Sequence, residues 1–166
     1  MRYAEDLTRL LEQELSLYSE LLAATRAQQS VITGGDVARL AELVARAEGT
    51  IRKLRDVEVS LVELAREFAT EALAVTEDPE SAMAALLSSL DSGEAANVAT
   101  LRDGIGSTLS DIASDNAVNA ELLRDSLAYI ENTMKMIAQA DGTNSIYSRL
   151  GVMNRQAATV AVDDRA

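Results

Sequence analysis

The chain has 166 residues, a formal charge of −12 and neither cysteine nor histidine. That length allows one domain or one elongated bundle, and the missing residue types exclude disulfides, thiolate or imidazole metal sites, Ser-His and Cys-His nucleophiles and phosphohistidine chemistry. The charge excludes phosphate-tracking nucleic-acid binding, which needs clustered Lys and Arg; with aromatics at 3% and a single proline, Pro79, the composition favours long helices over sheet.

The first periodic stretch covers about residues 3–33. Leu7, Leu11, Leu15, Tyr18, Leu22 and Ile32 fall on one stripe, and Leu10, Leu17 and Leu21 widen it. This is the spacing of an amphipathic helix. The stripe turns polar at Thr25, Gln28 and Gln29. Gly34 and Gly35 end it, since glycine permits the left-handed backbone of a helix C-cap. Asp36 then stands where an N-cap acceptor belongs, before a renewed period. So short a connection folds the second helix, about 36–75, back antiparallel on the first. Its stripe reads Leu40, Val44, Ala47, Ile51, Leu54, Leu61, Ala65, Phe68 and Ala72, close to a heptad repeat. Glu58 interrupts it, with Val57 beside it as a substitute.

Residues 76–93 read as a mobile connection packed against one end of the bundle. Asp78, Pro79 and Glu80 supply an N-cap, a first-turn proline and a favourable dipole charge. They predict a short helix at about 79–91, with Met83, Leu86, Leu87 and Leu90 apolar and Asp91, Ser92 and Gly93 closing it.

The third long helix runs over about 94–140. Its stripe is Val98, Leu101, Ile105, Leu109, Ile112, Leu123, Ile130, Met134 and Ile137, interrupted by Asn116 and Asn119. Two readings of the asparagines stand: a polar layer that fixes helix register, or a polar notch for a partner. Gly104 and Gly106 each weaken the helix by roughly 1 kcal/mol relative to Ala and mark a kink or a frayed start. A helix this long needs a long partner alongside it. Asp141, Gly142, Thr143 and Asn144 then read as a stop. The C-terminal stretch, 141–166, reads as a flexible tail carrying a short amphipathic stripe of Ile146, Leu150 and Met153 with Tyr147 on its flank. That stripe either docks back on its own bundle or grips a helix of another protein. Tyr147 belongs to a residue type favoured as an interface anchor.

The expected architecture is therefore all-α: an elongated antiparallel helical hairpin plus a long third helix, coiled-coil-like, over residues 1–140, with a short extra helix in the connection and a flexible tail. The longest apolar run, Ala82–Leu87, is far short of the ~20 residues of a membrane span. The first residues, MRYAEDLTRLLEQE, lack the apolar core of a signal peptide. A cytoplasmic protein without membrane insertion is expected. No glycine pattern matches a phosphate-binding loop, so neither an enzyme nor a cofactor is expected; helix–helix burial is the expected currency of function.

Three passages carry a resemblance. Gln28–Val44 reads QQSVITGGDVARLAELV; Asn116, Asn119, Leu122 and Leu123 form N-x-x-N-x-x-L-L; Tyr147 and Gly151 form Y-x-x-x-G. In this order, over nearly the whole chain, they resemble the FlgN family of flagellar export chaperones. The Ala/Ser-rich connection at 76–93 and the Ser148–Arg149 pair after Tyr147 depart from the family pattern. The resemblance implies a chaperone that holds hook–filament junction proteins (the FlgK and FlgL kind) by their helical C-terminal segments and delivers them to the membrane-embedded export gate. It implies that the later part of the third helix, including Ile130, and the tail stripe bind the client, and that Tyr147 acts at the gate. It also implies that Asn116 and Asn119 shape the bundle or the client groove. A monomer or homodimer is compatible. The competing expectation is a structural coiled-coil adaptor or dimerisation module with no client to release.

Overall fold

A computed structural model of the chain describes residues 2–72 and 78–160, with side chains as far as Gln139. Among the described residues there are four helices and no strand: α1 (Arg2–Gly34), α2 (Val37–Glu71), α3 (Pro79–Ser88) and α4 (Ser92–Val160). The chain divides into two compact units, residues 1–122 and 123–166, and α4 contributes to both.

Local chemistry sets the helix ends. Gly35 has φ +69°, and around it Asp36 N–H donates to the Val31 carbonyl (3.2 Å) while Gly35 N–H donates to the Ile32 carbonyl (3.1 Å). Those two bonds satisfy carbonyls that the end of α1 leaves without helical partners. Asp36 immediately starts α2, its carboxylate accepting from Arg39 N–H at 3.0 Å. Asp78 does the same for α3, accepting from the Ser81 N–H (2.9 Å) and hydroxyl (2.8 Å), with Pro79 in the first turn. Asp91 does not close α3, as its sequence position suggested; it opens α4. Its carboxylate accepts from Gly93 and Glu94 N–H, both at 2.8 Å, and Glu94 accepts in return from Asp91 N–H at 3.0 Å. This reciprocal box ends α3 at Ser88 rather than 91.

α2 ends at Glu71, short of the expected 75; residues 73–77 lie outside those described. α4 runs to Val160 and so passes through Asp141–Asn144, where a stop was expected. Turn-forming residues cost a helix only some tenths to about 1 kcal/mol each, too little to end it by themselves. The side chains of the tail, 141–166, lie outside the described residues.

In residues 1–122, α1 is buried on two adjacent faces. Tyr3 meets Phe68 of α2 edge-on, with ring centroids 5.5 Å apart, and Leu7, Leu10 and Leu17 share a core with Leu54, Val57 and Leu64. On the other face, Leu15 lies against Gly104 of α4, where an added Cβ would stand 3.4 Å from a Leu15 methyl. Gly104 thus has a packing role, and α4 is continuous through it. Val98 and Ile105 join the same core, as does Leu86 of α3, which is fully buried. Burying one leucine this completely is worth about 1.5–3 kcal/mol. Small residues let α3 sit close on α2: Ala65, Ala69 and Ala82 form a cluster of their own.

The buried rows differ from the sequence expectation by one residue in places. On α2, Val44 (43% exposed) and Ile51 (39%) face outward, while Leu43 and Thr50 are buried. Thr50 tolerates this because its hydroxyl donates to the Arg46 carbonyl. The row then continues through buried Val57, leaving Glu58 exposed. On α4, Leu109 is exposed, and the covered row is Val98, Ile105, Ile112 and Asn119.

Candidate functional site

Two polar interruptions noted separately in the sequence meet in space. Thr25 and Gln28 of α1 lie opposite Asn119 of α4: the Asn119 amide donates to the Thr25 carbonyl at 2.9 Å and reaches the Gln28 side-chain oxygen at 3.4 Å. Asn119 is 4% exposed. The Thr25 hydroxyl, also buried, is satisfied by the Leu21 carbonyl at 3.0 Å. Next to this layer Arg26 spans two turns of α4, its Nη2 3.2 Å from Asp111 and its Nε 3.0 Å from Asp115. A donor at one level of a seam accepts only certain partners opposite, so the layer fixes which residues of α1 and α4 face each other. Asn116 is not part of it. It lies one turn away on the exposed side, because three residues along a helix turn the side chain by about 60°. Leu122 is half-buried.

Residues 123–139 carry a different kind of surface. Leu123, Leu127, Tyr129, Ile130, Met134, Met136 and Ile137 are all 40–73% exposed. Leu123, Leu127, Ile130, Met134 and Ile137 are separated by steps of four and three, the spacing of a seam that a second helix closes. Soluble chains seldom leave such a row uncovered without a partner for it. Leu123 and Ile130, which the resemblance named among the client-binding residues, lie on this surface. Leu127, Tyr129 and Met136 were not singled out; continuing the four-three count through Leu123 finds Leu127, and the row beside it finds the other two. Ile146, Tyr147, Leu150, Gly151 and Met153 lie where side chains are not described.

Among the described residues, no three acidic side chains gather as a cation site, and no helix is long and apolar enough to cross a membrane.

Caps, rows and layer define, among the described residues, an all-helical protein that leaves part of one helix uncovered. The family model of the FlgN protein matches residues 1–155. The chain belongs to the FlgN family, which gives it a flagellar chaperone role in flagellum biogenesis and makes flagellar export substrates its kind of partner. No curated protein and no solved structure matches it.

Proposed function

We propose that this protein holds a hook–filament junction protein in the cytoplasm before export, covering an apolar helical segment of that client with the α4 face from Leu123 to Ile137. The observation that carries the reading is the uncovered four-three row on that face. Covering each such side chain is worth on the order of 1–2 kcal/mol before the costs of ordering two partners are met. That balance leaves a complex tight enough to hide an aggregation-prone helix and weak enough to release it.

In the same reading α1 and α2 form an antiparallel hairpin of coiled-coil type, supported by the Tyr3–Phe68 contact and by Glu14 facing Glu58. Ile146, Leu150 and Met153 extend the client contact, Gly151 belongs to the same tail motif, and Tyr147 serves transfer to the membrane-embedded export gate.

Leu127→Glu combined with Met134→Glu tests the reading by calorimetric titration with a purified junction protein. Affinity is expected to fall at least tenfold, with helicity unchanged by circular dichroism because both positions are exposed. Unchanged affinity overturns the assignment of this face.

A further inference from the structure

Beside the first row on α4 runs a second, displaced by one residue: Ser126, Tyr129, Thr133 and Met136. Tyr129 and Met136 are among the most exposed large hydrophobic side chains of the described residues, and Ser126 and Thr133 are small. At about 100° per residue the two rows together occupy about 180° of the helix circumference. A seam closed by one helix is narrower, a strict pair of alternating positions. Arg124, Asp125, Asn132 and Lys135 keep the opposite side polar.

α1 shows how this chain closes a double row. Tyr3, Leu7, Leu10 and Leu17 form one row, and Ala4, Leu11, Leu15 and Tyr18 form the next, again displaced by one residue. Tyr3 meets α2, and Leu15 meets α4. Two helices, α2 and α4, share the covering of this double row.

Resting on the chaperone reading, we propose that the α4 face between Leu123 and Ile137 seats two amphipathic helices of one export substrate side by side, one on each row. A four-three spacing accepts helices, and a double row accepts two. Both come from one chain because the second then binds at the effective concentration set by its link to the first. A second copy of this protein is a poorer occupant. The whole formal charge of −12 falls within residues 1–122, while residues 123–166 carry as many basic as acidic side chains and offer no net cation to offset another copy's charge.

The test compares the first-row variant Leu127→Glu/Met134→Glu with a second-row variant, Tyr129→Glu/Met136→Glu, both in the full chain and both checked for unchanged helicity. Each is titrated with the full-length junction protein and with a synthetic peptide of its last amphipathic helix alone. Both variants are expected to weaken full-length binding at least tenfold at 1:1 stoichiometry, and the single-helix peptide is expected to bind at least thirtyfold more weakly than the full-length substrate. If only the first-row variant matters, and the peptide binds as tightly as the whole substrate, one helix suffices; the proposal fails and the chaperone reading stands. If neither variant changes binding, both fail. A free-chain dimer in sedimentation that the second-row variant dissociates gives that row to a second copy and also overturns the proposal.

Discussion

Glu14 of α1 is half-buried and faces Glu58 of α2. Burial first, and the Glu58 charge second, raise its carboxyl above the ordinary value. Tyr18, one turn further on, is raised by burial and by the same two carboxylates. An acid whose pKa is higher in the folded state binds protons more tightly there. Between its unfolded and folded values, stability therefore falls as pH rises, and above the folded value the deficit is constant. Glu14→Gln removes that deficit. Because the site is half open to water, the expected gain at pH 7 is only some tenths of a kcal/mol, about 1–2 °C in melting temperature, shrinking as the pH is lowered through the ordinary carboxylate range. Paired thermal melts at pH 7 and pH 4 measure it; equal gains at both exclude a charge effect.

At the level of the helices, each long element is a set of parallel rows, and what matters is which rows are covered. α4 carries Asn119 on its covered row and Asn116 on its exposed side. Asn119→Ala removes the bond to the Thr25 carbonyl, at a cost of about 1 kcal/mol, or roughly 2–4 °C in melting temperature for a chain of this size. Asn116→Ala should move the midpoint by less than about 1 °C, as expected of an exposed position. The reverse ranking in thermal denaturation would put the register-fixing asparagine at 116. Nothing in the spacing of the pair distinguishes the two, since either continues an apolar stripe. The same ambiguity produced the shifts from Val44 to Leu43 and from Ile51 to Thr50: adjacent rows share residues such as Ala47, and a hydroxyl that bonds its own helix, as Thr50 does, can replace an apolar side chain in the buried row.

For the molecule as a whole, acidic and neutral parts are separated along the chain. Residues 1–122 carry the net negative charge together with the hydrophobic core, and residues 123–166 are balanced in charge, with uncovered apolar side chains between Leu123 and Ile137. A charged, self-sufficient body favours solubility, and an uncovered neutral helix favours association through apolar burial. Under the proposed function, Tyr147→Ala acts on transfer rather than on holding. Helicity and affinity for the junction protein are expected to stay unchanged, while export of that protein from cells falls at least tenfold. A loss of helicity in the variant would make Tyr147 a structural residue instead.

The sequence by itself determined the helical class, the caps at Gly35, Asp36 and Asp78, and the family, because these rest on local chemistry and on motifs read residue by residue. The Asp91–Glu94 box was also written locally, as an acid followed three positions later by another, though Ser92 and Gly93 between them suggested an ending. Only the tertiary structure decided which of two neighbouring rows is buried, that Thr25 and Gln28 meet Asn119 while Asn116 stays outside, and that the large apolar side chains from Leu123 to Ile137 are uncovered. One residue turns a helix by about 100°. Where both rows are apolar, it is the neighbouring helix that selects the buried one, and that neighbour is far away in the chain.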